Sequence, residues 1–327
     1  MKAKLPISER FLYSLIVLNA LILPASVPAA SEVLPGSEPA AGHGQVQAES
    51  ACRIDKTFVK DGVEIEHWTY KSDGLSVKGR LYLPCRREGR LPLIIFSHDG
   101  ISGISSSHEL SCLRLALKGY AVFAPSYRGE DGSDGMIEIA KGEVSDVLNA
   151  LSILKKHRAI DEDRVFLMGA SHGALISLLA AGRLPANSLK GLIFAYGVAD
   201  VYRWWDHLIA TRQLGKDPIT RRTYGDGPQV RPESFRIRCG LNAVGNIDAP
   251  VLIMQGKLDT ITPPEQAQYL KEALDEQGKE AQLKMYPNCL HGFLVYAPYL
   301  KSGVTPQERR ETETAWNDLF EFLEQNR

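Results

Sequence analysis

Gly169-Ala170-Ser171-His172-Gly173, set between Arg164-Val165-Phe166-Leu167-Met168 and Ala174-Leu175-Ile176-Ser177-Leu178-Leu179-Ala180-Ala181, decides how the rest of the chain is read. The first flank is a short apolar run with the look of a buried strand, and the second has the composition of a buried helix. A G-x-S-x-G string between them is the pattern of a nucleophile elbow, a cramped strand-to-helix turn that holds a serine hydroxyl above a sheet edge. The glycines lack Cβ atoms and so permit that turn. Ser171 is the candidate nucleophile, and the remaining sequence is searched for what a serine needs.

A hydroxyl is a weak nucleophile at neutral pH, so it needs a general base and a carboxylate that orients the base. In strand-turn-helix scaffolds of this kind the order along the chain is Ser, acid, His. Val251-Leu252-Ile253-Met254-Gln255-Gly256-Lys257-Leu258-Asp259 is an apolar run, a glycine turn and a carboxylate, 88 residues beyond Ser171. Of eight histidines only His291 follows Asp259, in Tyr286-Pro287-Asn288-Cys289-Leu290-His291-Gly292-Phe293, directly after the last strand-like run. The expected oxyanion donors are two backbone N–H groups. One is that of His172, at the N-terminus of the helix behind the elbow. The other comes from Ser97-His98-Asp99-Gly100, with Gly100 the first choice and Asp99 the second; the side chains of His98 and His172 are read as structural.

Outward from these motifs, short apolar runs alternate with amphipathic ones. Leu93 to Phe96, Ala121 to Ala124, Val165 to Met168, Leu192 to Ala195, Val251 to Met254 and Leu283 to Tyr286 read as strands covered on both faces. Val144, Val147, Leu148, Leu151 and Leu154, and later Trp316, Leu319, Phe320 and Leu323, show helical spacing. Thr262-Pro263-Pro264-Glu265 and Thr305-Pro306-Gln307-Glu308 each predict a helix start with Thr at the cap. Val63 to Tyr70 and Leu75 to Leu83, joined by Ser72-Asp73-Gly74, predict an antiparallel hairpin ahead of the alternating region. The fold class is α/β: a mostly parallel central sheet with an N-terminal antiparallel hairpin and helices on both faces. Ligand chemistry then belongs at the carboxyl ends of the strands.

At the N-terminus, Lys2, Lys4 and Arg10 precede the 13-residue apolar run Phe11 to Leu23, and Val27-Pro28-Ala29-Ala30 supplies small residues for cleavage. Residues 1–29 therefore read as a signal peptide of a secreted or periplasmic protein, with an uncleaved membrane anchor as the alternative; the run is short for a span of about 20 residues. Cleavage removes three basic residues and one acidic one, so the 38 basic and 39 acidic residues become 35 and 38. With no basic excess, nucleic-acid binding is excluded as an expectation. Residues 30–51 form a polar leader, and residues 52–327 form one domain. Within it, residues 198–238 carry Tyr202, Trp204, Trp205 and His207 and no strand pattern; they read either as a short cap over the site or as a plain surface excursion. Cys52, Cys85, Cys112, Cys239 and Cys289 match no zinc spacing, and their pairing stays open.

Ser72-Asp73-Gly74 with Gly79-Arg80-Leu81-Tyr82-Leu83-Pro84, His98-Asp99-Gly100, Tyr127-Arg128-Gly129, the elbow, Gln255-Gly256-Lys257-Leu258-Asp259 and His291-Gly292-Phe293 together resemble a serine α/β hydrolase of the dienelactone hydrolase and prolyl oligopeptidase-like branch. Dienelactone hydrolases proper use cysteine where this chain has Ser171. Prolyl oligopeptidases carry a propeller before the catalytic domain, for which the residues before Cys52 leave no room, and Asp99 replaces the first glycine of the usual HGG string. The resemblance implies an ester-cleaving enzyme with a small-molecule substrate, a peptidase acting on short peptides as the alternative, and no metal or organic cofactor. Arg128, Trp204 and Trp205 are the tentative substrate-binding residues. For Arg128 the resemblance also implies a buried ion pair, with Asp146 as the candidate partner.

Overall fold

Strands buried on both faces cannot alternate apolar with polar, and the five central strands do not: β4 (Leu91–Ser97), β5 (Ala121–Pro125), β7 (Gly191–Ala195) and β8 (Val251–Gly256) are buried throughout, as is the C-terminal half of β6 (Ile160–Ala170). The computed structural model describes residues 51–214 and 218–327. It contains one nine-stranded sheet in the order β1-β2-β3-β5-β4-β6-β7-β8-β9, where β1 is Cys52–Lys60, β2 Val63–Ser72, β3 Leu75–Pro84 and β9 Ala281–Tyr286. From β5 across to β9 the pairing is parallel, whereas β1, β2 and β3 are antiparallel to their neighbours.

The period-two alternation of each strand sorts its side chains into two cores. Leu93, Ile95, Leu167, Phe194 and Ile253 face one side, where α2 (Gly142–Leu154), α3 (His172–Ala181) and α7 (Glu265–Glu276) pack through Val144, Ala174 and Leu270. Ile94, Phe96, Phe166, Met168 and Met254 face the other, where α1 (Ser106–Ala116) and α8 (Pro306–Gln325) pack through Cys112, Trp316 and Leu319. Each of these fully buried aliphatic side chains contributes roughly 1.5–3 kcal/mol. The predicted hairpin is present, closing at Ser72 opposite Leu75.

Two expectations need correction. The sheet gains an edge strand, β1, that the hydrophobic pattern does not announce, because most of its residues are exposed. At Thr262 no helix cap forms: α7 starts at Glu265 with Pro264 in the cap position, and the Thr262 N–H is spent on Asp259 at 2.9 Å. At Thr305 the expected cap is present, its hydroxyl accepting from the Glu308 N–H at 3.1 Å.

The chain runs from β4 to β5 on one side and then places β6 on the other side of β4, so the strand order reverses between β4 and β6. A crevice opens at such a switch point, at the carboxyl ends of the strands. Ser97 and Gly169 are partners there, which puts the loop after β4 beside the elbow after β6.

Candidate active site

Ser171 sits at φ 50°, ψ −116°, a conformation that costs a non-glycine residue strain of order 1–3 kcal/mol. The surroundings leave it no alternative. Its N–H donates to Ala195 O at the end of β7 at 2.9 Å, and its carbonyl accepts from the Ala174 N–H at 3.0 Å. The flanking glycines are required by close approach: a Cβ on Gly169 would lie 2.2 Å from Gly173 O, and one on Gly173 would lie 2.0 Å from Ser97 O. The elbow is thus wedged against the loop after β4.

The turn after β8 delivers Asp259, and the loop after β9 delivers His291. The three side chains meet: His291 Nδ1 lies 2.7 Å from Asp259 Oδ2, and His291 Nε2 lies 2.9 Å from Ser171 Oγ. Asp259 is held on its other sides by the N–H groups of Ile261 and Thr262, each at 2.9 Å, and by Gln255 Nε2 at 3.1 Å. With Nδ1–H directed at a carboxylate, Nε2 is left to accept the serine proton. Burial pulls the His291 imidazole down, but the charge and hydrogen bond of Asp259 and the charge of Asp99 outweigh it, so the net direction is upward. The ring also packs edge-on to Tyr196, centroids 5.0 Å apart.

Of the two expected oxyanion donors, one follows the serine in the chain and the other lies in the loop after β4. His172 is the first residue of α3, where N–H groups have no intrahelical partner. Gly100 takes the left-handed φ of 71°, and its carbonyl lies 3.0 Å from His172 Nδ1, so the imidazole latches the loop to the helix start. His98 is fully buried, its Nδ1 2.9 Å from Asp99 O and its ring stacked 4.4 Å from Tyr127; burial first, then the neighbouring histidines, pulls it down to about 3, so it is neutral.

The tentative substrate-binding residues fare differently. Arg128 is withdrawn from that role by its own neighbours: it is 7% exposed and its guanidinium meets Asp146 at 2.9 Å, Asp73 at 2.9 Å and Glu138 at 3.1 Å. It is the buried ion-pair hub that joins the β2–β3 turn to α2. Trp205 is also withdrawn. It is 3% exposed and fills a small core with Tyr224 and Phe235, so it has no face for a ligand. Trp204 is half-buried and donates its indole N–H to Ile261 O at 3.3 Å, beside the Asp259 turn.

The described residues of 198–238 contain three helices: α4 (Val201–Ala210), α5 (Pro218–Tyr224) and α6 (Pro232–Arg236). Sequence reasoning passes over Tyr196, Gln255 as a partner of Asp259, and the Asp99 carboxylate: Tyr196 belongs to no motif, and the motifs that hold Gln255 and Asp99 do not say what their side chains contact. Among the described residues no cluster of His, Cys, Asp or Glu is placed to hold a metal ion, no disulfide forms, and no helix is long and apolar enough to cross a membrane. The expected signal peptide and residues 30–50 of the leader lie outside the described residues.

A serine–imidazole–carboxylate chain at the switch point of an α/β sheet is equipment for acyl transfer. Residues 105–316 match the model of the prolyl oligopeptidase family. The chain belongs to that family. Among curated relatives of this family member, the uncharacterised peptidase YtmA of Bacillus subtilis is 27% identical over 224 residues, covering 68% of this chain and 84% of the relative. Acylamino-acid-releasing enzyme 2 of Oryza sativa is 25% identical over 243 residues, but the match spans only 31% of its length. Among solved structures, the acylaminoacyl peptidase of Pyrococcus horikoshii aligns with a TM-score of 0.66 at 21% identity, over 82% of this chain and 42% of that one. Acetyl xylan esterase 1 of Thermoanaerobacterium aligns with a TM-score of 0.60 at 21% identity, over 73% and 82%. The prolyl oligopeptidase-family chain is therefore a serine hydrolase with the α/β-hydrolase fold, of a kind that acts on small esters or peptides.

Proposed function

We propose that this serine hydrolase cleaves carboxylic esters of small molecules through an acyl-enzyme formed on Ser171. The observation that carries the reading is the unbroken hydrogen-bonded chain Ser171 Oγ, His291, Asp259. Ser171 attacks the carbonyl carbon while its proton passes to His291 Nε2, and Asp259 holds the resulting imidazolium. The oxyanion is received by the N–H groups of His172 and Gly100. Collapse breaks the bond to the alkoxide, which leaves with the proton from Nε2; water then repeats the sequence and releases the acid.

Esters are the first expectation because an alkoxide leaves more readily than an amine. Cleavage of short peptides is the second reading, favoured by the name of YtmA, a relative matched over most of its length. The helical insertion at 198–238 serves as the cap that shapes the substrate pocket. Export to the periplasm or medium rests on the charged, apolar and small-residue pattern of residues 1–29.

The test is Ser171→Ala on the full chain, with p-nitrophenyl esters and aminoacyl-p-nitroanilides run side by side. Turnover of the preferred panel should fall by about 10⁵–10⁶-fold with an unchanged circular dichroism spectrum. Undiminished turnover would sink the assignment, and a higher kcat/KM on the anilides would replace ester with peptide.

A further inference from the structure

Behind the proposed oxyanion loop lies a buried polar cluster that the acyl-transfer steps do not use. Asp99 is 4% exposed, and its Oδ1 is gripped from two directions. His108 Nε2, from α1, lies 2.6 Å away, and the Tyr296 hydroxyl, from the segment after His291, donates to the same oxygen. The Ser105 N–H donates to His108 Nδ1 at 2.9 Å, which leaves the ring proton on Nε2, aimed at Asp99. Tyr296 in turn is packed on the residue next to the candidate base: its N–H donates to Gly292 O at 2.8 Å, and a Cβ on Gly292 would come 2.7 Å from its ring. One carboxylate therefore connects three separate pieces of chain at the catalytic edge of the sheet.

We propose that Asp99 is a positioning residue, whose carboxylate ties the oxyanion loop to the segment that follows His291. This rests on the reading of Ser171, His291 and Asp259 as the reacting groups. The oxyanion donor and the general base come from loops after different strands, β4 and β9, and nothing in the sheet itself couples them. Misplacement of reacting groups by about 1 Å costs on the order of 10²-fold in rate, so a direct brace between the two loops is of catalytic value.

The electrostatics agree with the geometry. Burial works against the charged form of Asp99, but His108, Tyr296 and His291 hold its carboxyl below the usual range, so it is ionised at neutral pH. His291 is faced by Asp259 from the turn after β8, by Asp99 from the loop after β4, by the Ser171 hydroxyl from the elbow and by the Tyr196 ring from the end of β7. Of these, the two carboxylates raise it. Asp99 is faced by His108, Tyr296 and His291, with His98 beside it in the chain.

The experiment compares Asp99→Asn, Tyr296→Phe and the double variant with wild type on a p-nitrophenyl ester, with kcat and kcat/KM followed against pH and Ser171 titrated with a fluorophosphonate probe. Asp99→Asn should lower kcat about tenfold or more with KM within about twofold, and should move the acid limb of kcat/KM to lower pH, because one of the two charges that raise His291 is gone. Tyr296→Phe should lower kcat less and leave the limb in place. The double variant should be little worse than Asp99→Asn, since both remove one shared brace. An unshifted acid limb in Asp99→Asn, or a loss confined to KM, overturns the proposal. If Asp99→Asn does not fold, Tyr296→Phe decides: a lower kcat at constant KM supports the brace, and wild-type kinetics refute it. Wild-type enzyme that the probe does not label refutes the acyl-enzyme reading itself, a result separate from any of these.

Discussion

The elbow and the helices between Val198 and Arg238 are held in different ways. At the elbow, backbone touches backbone: Ser171 N–H on Ala195 O, and Gly169 and Gly173 so close to Gly173 O and Ser97 O that an added Cβ would lie 2.2 and 2.0 Å from them. The insertion instead has a core of its own, made of Val198, Val201, Trp205, Tyr224, Phe235 and Cys239. It is fastened to the body by side chains reaching backbone carbonyls. Trp204 reaches Ile261 O at 3.3 Å, His207 Nε2 lies 3.0 Å from Thr260 O, and Arg238 donates to Ile139 O at 2.6 Å and Glu138 O at 2.7 Å. Contacts of the first kind tolerate no substitution, since neither partner can move. Those of the second kind can be exchanged one at a time, as in the proposed cap, where substrate choice would vary while the chemistry stays constant.

That contrast can be broken most severely at Gly173. Gly173→Ala forces a methyl group to within 2.0 Å of Ser97 O, so the elbow must shift. The expected outcome is a loss of about 3 kcal/mol in urea unfolding together with a fall in kcat of roughly 10²-fold or more. A variant with wild-type stability and turnover would mean that the elbow has slack.

Trp205→Ala attacks the other side. Removing the indole from between Tyr224 and Phe235 should cost about 3–5 kcal/mol in the small core. Because that core stands apart from the two that flank the sheet, kcat on a short p-nitrophenyl ester should stay within about threefold of wild type, while the ranking of longer acyl chains changes. A collapse of turnover on every substrate would show the insertion to be as indispensable as the elbow.

The smallest effect sharpens the comparison without a mutation. Turnover requires neutral His291, whose pKa is raised, so activity should fall as pH drops through a value above 6.5, the ordinary imidazole value. His98, in the loop after β4 and pulled down to about 3 by burial, stays neutral across that range and adds no second step. A kcat/KM profile with its acid limb well below 6.5 would contradict the Asp259 and Asp99 charges as the dominant influence on His291.

Local signals made the fold readable. Alternating apolar runs and helical spacing identify the central strands and helices because burial on two faces leaves its mark in every residue of a short segment. β1 escapes for the converse reason: an edge strand with most side chains in water carries no such mark. The Thr262 cap pattern is not used: the helix starts at Glu265 behind Pro264, and Ile261 and Thr262 belong to the turn whose N–H groups bind the Asp259 carboxylate. Of the two readings of Arg128, the ion pair with Asp146 is the one present; that choice, and the burial of Trp205, were not legible because their surroundings come from distant parts of the chain. Asp73 and Asp146 surround Arg128, and Tyr224 and Phe235 enclose Trp205.

By itself, the amino-acid sequence determined the serine-hydrolase class and picked out the three side chains that the structure brings together, because an elbow serine, a strand-end carboxylate and the one histidine after it are each written locally and in a required order. Only the tertiary structure decided how those groups are supported and which aromatic and charged residues are withdrawn from the crevice. Hydrogen bonds such as Tyr296 to Asp99 or Arg128 to Asp73 join residues far apart in the chain. Nothing short of the packed sheet brings such partners within reach.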